Sequence, residues 1–202
     1  MICGWQHALT PRLLTDVLLA KGVVPDHREE ALTLIGLRAA ERDANTFNDA
    51  LVVLWYCGFQ QNQVVMACTT DPGDYWRRHP MNPKGTARLV LGHYPELWRL
   101  GRHRGRYEAL VQEGPVTVTR DNDRNRQLDG ETIDTGVFGI NLHRAGNRSE
   151  ALDPVDRWSA GCQVVADAAD FGVLMALARQ HAQRHGDRFD YTLIEERDLW
   201  TH

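Results

Sequence analysis

Leu51-Val52-Val53-Leu54-Trp55-Tyr56 and, beyond a polar break that contains Gly58, Val64-Val65-Met66-Ala67-Cys68 are two runs rich in β-branched and apolar residues. Both have the length of strands, and the break from Gly58 to Asn62 supplies the turn that would join them as a hairpin. A chain with this nucleus is expected to be mainly β. Pairing across such a turn would set Cys57 opposite Gln63 or a neighbour, with Cys68 well up the ladder and out of disulfide reach. Both cysteines are therefore expected as small core residues.

Downstream, Thr69-Thr70-Asp71-Pro72-Gly73 reads as a turn cluster, followed by a loop rich in Trp, Arg, His and Pro as far as Pro83. Strand character resumes over Gly85 to Leu91 and in short pieces over Glu108 to Gln112 and Val116 to Thr119. An acidic loop follows from Asp121 to Asp134, then a strand over Val137 to His143. Phe171, Leu174, Met175 and Ala178 share one face of a helix predicted over Asp170 to Arg184, with Gly186 closing it and a last strand over Phe189 to Ile194. Upstream, Thr10-Pro11 offers a cap and a proline at the first helical position, and Leu13, Leu14, Val17 and Leu18 recur at helical spacing as far as Gly22. A second helix is expected from about Asp26 to Arg42, with Leu32, Ile35 and Ala39 on one face. The expected organisation is a helical segment over 1–47 and a β-rich domain over 48–202: mainly β with added helices, an α+β chain.

The bulk numbers narrow the function classes. The chain has 202 residues, 43% hydrophobic and 25% charged, with formal net charge −4 and a sequence pI of about 6.1. That balance argues against a protein whose main task is neutralising phosphates. Arg99, Arg102, His103, Arg104 and Arg106, edged by Trp98 and Tyr107, form a basic cluster that could hold an anionic polymer. A charged face beside a strand is the commoner outcome, and no nucleic-acid partner is expected. No apolar run reaches membrane-spanning length, so no membrane span is expected. The start, Met1-Ile2-Cys3-Gly4-Trp5-Gln6-His7, has no basic segment followed by an apolar one, so synthesis in the cytoplasm is expected. Any extracellular site of action would then need another delivery route, such as a phage lysis route, virion packaging or a contractile secretion system.

Four cysteines, Cys3, Cys57, Cys68 and Cys162, show no C-x-x-C spacing. His7, His27, His79, His93, His181, His185 and His202 offer no spacing suited to zinc, and neither metal nor cofactor is expected. Asp121-Asn122-Asp123-Arg124-Asn125-Arg126-Gln127-Leu128-Asp129 has oxygen-bearing residues at alternate positions, like the first part of an EF-hand loop. Arg126 stands where that loop wants glycine and Thr132 where it wants glutamate, so a solvated hairpin loop is expected.

The chemistry gathers at two segments. In Gly136-Val137-Phe138-Gly139-Ile140-Asn141-Leu142-His143, strand alternation sends Phe138, Ile140 and Leu142 to a core and Gly139, Asn141 and His143 to the opposite face. In Trp158-Ser159-Ala160-Gly161-Cys162-Gln163-Val164-Val165, a cysteine follows a Ser-x-Gly turn and begins an apolar run. Gly161 gives the backbone freedom to aim the Gly161 and Cys162 amides at a developing oxyanion. A thiol needs a base to become thiolate near neutrality, and imidazole suits. A lone His and a lone Cys are usually structural. The small-residue turn under Cys162 and the strand-end position of His143 single this pair out.

His143, the intervening loop and Ser159-Ala160-Gly161-Cys162 resemble the catalytic signature of the L,D-transpeptidase (YkuD-like) family, a strand ending in His followed by Ser/Thr-x-Gly-Cys. The order separates it from papain-like and NlpC/P60 peptidases, in which Cys precedes His. The resemblance covers residues 48 to 170, and Thr69-Thr70 and Gly85-Thr86 fall near the family's substrate-flanking loops. It implies a β-rich catalytic fold and acyl transfer or hydrolysis on peptidoglycan stem peptides. Cys162 would be the nucleophile and His143 the base, assisted by Gly161 and Ser159, with Arg144, Asn141, Trp158 and Gln163 toward substrate. Ala160 stands where the family has His, Val164 where it has Arg, and Arg144 where it has Gly. Arg144 could supply a relocated cation for a substrate carboxylate, or be a solvent-facing loop arginine. Three functions stay open: this acyl-transfer enzyme, a catalytically silent wall-binding module, and a cysteine hydrolase of another substrate.

Overall fold

The Thr10 hydroxyl accepts the Leu13 N–H at 3.2 Å, and Pro11 takes the first helical position of α1 (Pro11–Ala20). Gly22, at φ +75°, turns the chain out of it. The computed structural model describes residues 9–40, 45–125, 127–146 and 154–200. Cys3, His7, Arg126 and His202, singled out in the sequence, lie outside them.

The second expected helix is not formed. Its place holds β1 (Thr33–Arg38), which pairs antiparallel with β2 (Asp49–Cys57) and parallel with β11 (Phe189–Glu195). Every residue of β1 is buried, so it lacks the alternation that marks a half-exposed strand. Leu34 faces the main core, whereas Ile35 and Leu37 face α1. Gly36 is required here, because a Cβ would sit 1.9 Å from the Tyr191 hydroxyl. The expected division at 47/48 thus falls between two paired strands of one sheet.

β2 and β3 (Gln60–Thr69) form the expected hairpin, but over a tighter turn at Gly58-Phe59. Cys57 therefore pairs with Gln60 and Cys68 with Asp49. Both thiols are free. Cys68 is buried as expected, while Cys57 is exposed at the hairpin tip.

The remaining elements are α2 (Asp74–Arg78), β4 (Thr86–Leu89), β5 (Gly92–His103), β6 (Tyr107–Gln112), β7 (Val116–Asp121), β8 (Thr132–Gly136), β9 (Leu142–Arg144), β10 (Gln163–Val165), α3 (Ala168–His185) and a 3₁₀ turn over Glu196–Trp200. Eight strands close into a barrel in the order β1-β11-β5-β6-β9-β10-β3-β2, and β4-β7-β8 make a separate small sheet. The fold is mainly β with a few helices. β5, the longest strand, escapes sequence reading because Pro95 and its arginines mask it. The core fills with Trp98, Tyr191, Phe189, Leu110 and Leu142, capped by Phe171, Leu174, Met175 and Ala178 of α3. Trp98 satisfies its indole N–H on the Ile140 carbonyl at 2.8 Å.

A buried polar knot ties the barrel end to the small sheet. Asp71 lies between Arg38, at 3.2 Å, and Arg88, at 2.7 Å. Asp49 accepts the Ala39 N–H, the Thr70 N–H and the Thr70 hydroxyl. Thr69, Thr70 and Thr86 are buried, so they do not border an open cleft as the family resemblance implied.

Candidate active site

The expected strand over Val137 to His143 shrinks to β9. Residues 137–141 run as irregular chain whose amides are met by a side chain instead of a ladder. Gln112 Oε1 accepts the Phe138 N–H at 3.0 Å and the Ile140 N–H at 2.7 Å. Ile140 and Leu142 still reach the core as expected, and Phe138 lies under the Arg120 guanidinium at 4.4 Å.

β9 and β10 are parallel neighbours, with Leu142 opposite Gln163 and His143 opposite Val164. The ladder extends one step back, where Gln163 N–H donates to Asn141 O at 2.9 Å. Cys162 therefore lies beside Asn141, and His143 comes two residues further along the same face. Cys162 and His143 are thus diagonal neighbours across the β9–β10 pair.

The cysteine turn is built by Ser159. Its hydroxyl accepts the Gly161 N–H at 3.1 Å and donates to the Cys162 carbonyl at 2.8 Å, and its own carbonyl takes the Gly73 N–H. Ser159 is fully buried and shapes the turn without facing the cleft. Gly161 has φ +122°, and a Cβ there would meet Ala87 O at 2.6 Å, so only glycine fits. Because its N–H is bound to Ser159, Gly161 cannot offer it to an oxyanion in this conformation. The Cys162 N–H meets no acceptor among the described residues.

The Cys162 thiol is partly exposed and donates to Gly139 O at 3.4 Å. Burial pushes its pKa up, opposed by the Asn141 N–H and the Arg104 charge. His143 is 2% exposed, and burial, reinforced by His103 and Arg104, pulls its pKa down to about 3. Its Nδ1 lies 2.8 Å from Arg144 O and 3.2 Å from the Tyr107 hydroxyl. A carbonyl partner makes Nδ1 the protonated nitrogen and leaves Nε2 with its lone pair. Nε2 is buried with no hydrogen-bond partner, and among the described residues no hydrogen bond joins His143 to Cys162. The resting pair is neutral thiol and neutral imidazole.

Asn141 is held on both sides. Its Oδ1 accepts the Gln112 N–H at 2.9 Å and its Nδ2 donates to His103 Nδ1 at 3.1 Å. These two bonds fix its orientation beside Cys162. Gln163, expected toward substrate, is 1% exposed inside the barrel, where it accepts the Tyr191 hydroxyl at 2.8 Å. Strand β10 turns it inward, because Cys162 and Val164 share the other face.

Arg144 and Trp158 do border an opening. With Arg106, Tyr107, Ala145 and Gly146 they line a shallow cavity of about 360 Å³, in which Trp158 is 45% exposed and the Arg144 guanidinium lies 4.4 Å over the Tyr107 ring. In the sequence His103, Tyr107 and Arg104 are members of a basic cluster and nothing more. The β5–β6 hairpin folds them over His143. The signal was there in a His and a Tyr flanking Arg104-Gly105-Arg106, but nothing local tied it to β9.

No family model matches the chain, and no curated protein and no solved structure is similar to it at a significant level.

Proposed function

We propose that Cys162 and His143 carry out cysteine-nucleophile acyl transfer on peptidoglycan stem peptides, as the L,D-transpeptidase-like signature implies. The observation that carries this reading is the parallel pairing of β9 with β10. It brings a partly exposed cysteine and a histidine with an unpartnered Nε2 to one face, beside a cationic, aromatic cavity.

The steps follow from these groups. Substrate binding brings a peptide carbonyl to Sγ. The thiol proton passes to His143 Nε2 as the S–C bond forms, and the Cys162 N–H would meet the oxyanion. Collapse breaks the C–N bond, and the imidazolium returns its proton to the leaving amine. The thioester is then attacked by an amine, which cross-links, or by water, which hydrolyses. The attacking group gives its proton to Nε2, and the expelled thiolate is reprotonated from the imidazolium. Arg144 and Arg106 would hold a substrate carboxylate across the cavity.

The test is mass spectrometry of muropeptides from isolated sacculi, with Cys162→Ala as control. Loss or exchange of a terminal D-amino acid, a new 3-3 linkage, or a cut within an existing linkage is expected, always with the glycan strands intact. Unchanged muropeptides across several wall types would remove the peptidoglycan assignment and leave a cysteine hydrolase of another substrate. The neutral thiol favours a second reading, a silent wall-binding module, which predicts sacculus binding equal in wild type and Cys162→Ala with no product.

A further inference from the structure

The end of β7 and the connection to β8 gather three carboxylates. Asp121, Asp123 and Asp129 each present an oxygen, and these oxygens lie within 4.8 Å of one another. Among the described residues no basic side chain pairs with any of the three. Lys84 and Arg120 are both turned to Asp134, at 3.3 and 3.2 Å.

Asp121 supplies the second observation. It is 8% exposed, and its Oδ2 is buried without any hydrogen-bond partner. A carboxylate oxygen taken from water and given nothing in return is costly, the more so beside two like charges. A bound cation would answer both the orphaned oxygen and the mutual repulsion.

We propose that Asp121, Asp123 and Asp129 bind one calcium ion. All three ligands are hard oxygens, as calcium prefers. Asp123 and Asp129 are exposed on a loop and can adjust to a large, irregular shell completed by water, whereas magnesium demands near-ideal octahedral geometry. Asn125 serves a different role, donating to Asp123 Oδ2 and accepting the Gln127 N–H. The ion would clamp β7 to β8 at the edge of the small sheet. Gly85 and Gly130 already pack so tightly there that a Cβ would strike Asp121 O at 2.1 Å and Arg120 O at 2.4 Å. β8 leads directly to Gly139, whose carbonyl holds the Cys162 thiol, so calcium would steady the approach to that site. The proposal stands whether or not Cys162 is a nucleophile.

The experiment uses the full chain, stripped with EDTA and dialysed, with calcium chloride added in a calorimeter and in parallel melts. One ion per chain is expected, with a Kd on the order of 10⁻⁴ M and a Tm that climbs with calcium and falls back with EDTA. Asp123→Asn and Asp129→Asn, both at exposed positions that should not disturb folding, should weaken binding at least about tenfold, the loss expected when one charged ligand of the shell is neutralised. Neither heat nor a Tm shift at about 10 mM calcium, ~100 times the expected Kd, overturns the site. So does binding that survives both substitutions. Magnesium acting at equal or lower concentration overturns the calcium assignment.

Discussion

The imidazoles of His103 and His143 are stacked, with ring centroids 3.9 Å apart and planes 25° from parallel. One comes from the end of β5 and the other from the middle of β9, and Asn141 holds the first while Arg144 O holds the second. Stacked imidazoles this close cannot both carry charge at low cost. Burial, with Arg104 and Arg106, pulls His103 down to about 4, and burial, with His103 and Arg104, pulls His143 to about 3. The pair is a neutral slab beneath the cleft.

That slab should make stability depend on pH. Both histidines stay neutral in the folded protein but protonate near 6.5 when unfolded, so the unfolded state binds more protons below that pH. Their contribution is complete above 6.5 and is lost as pH falls toward 4. Asp49 works the other way, because burial and Asp71 push it up to about 6, so it takes a proton in the folded state first. For these three groups, two against one make a net loss of roughly 1 kcal/mol per pH unit between about 6 and 4.5. Urea melts across that range should show it, and His103→Gln should remove most of the slope. An unchanged slope in the variant would contradict the pairing.

The thiol should be sluggish at rest. With Cys57 replaced by Ser, iodoacetamide should label Cys162 more slowly at pH 7 than it labels a free thiol. The rate should keep rising above the usual thiol range, since burial favours the neutral form. Arg104→Ala should slow labelling further by removing a charge that favours thiolate. Fast labelling at pH 7 would mean that the resting pair is already ionised.

Two glycines near the thiol should respond differently to alanine. Gly161→Ala forces φ +122° on a residue with a Cβ and drives that Cβ into Ala87 O, so a loss of about 2–4 kcal/mol is expected. Gly139, at φ +77° with open space around it, should lose only about 1 kcal/mol. In a chain of this size that separates the two variants by several degrees in Tm, at roughly 2–4 °C per kcal/mol.

Arg38→Met should be among the costliest single changes outside the site. It leaves Asp49 and Asp71 buried with the partly exposed Arg88 and the Arg77 charge beside Asp71, and about 3–5 kcal/mol is expected from removing one partner of a buried ion pair. Arg88→Met should cost clearly less. Equal losses in chemical denaturation would show that Arg38 is not the principal counter-charge.

The sequence by itself determined the β-rich class, the β2–β3 hairpin, α1 with its Thr10 cap, α3 with its buried stripe, and Cys162 on a Ser-x-Gly turn after His143. Each is a local pattern, written in neighbouring residues that share a turn, a cap or a face. Tertiary structure decided what local pattern could not hold. β1, buried on both faces, has no alternation, and its apolar spacing at Leu32, Ile35 and Ala39 imitates a helix until β2 and β11 pair with it. Ser159 and Gln163 stand beside Cys162 in sequence, yet the turn consumes one hydroxyl and strand alternation sends the other side chain inward to Tyr191. His103 and Tyr107 reach His143 only because the β5–β6 hairpin lies next to β9. The orphaned oxygen of Asp121 likewise exists only once the small sheet has closed over it. Burial is a property of the assembled sheets, so neither the charge state of Cys162 and His143 nor a lone carboxylate oxygen could be read from a chain still in water.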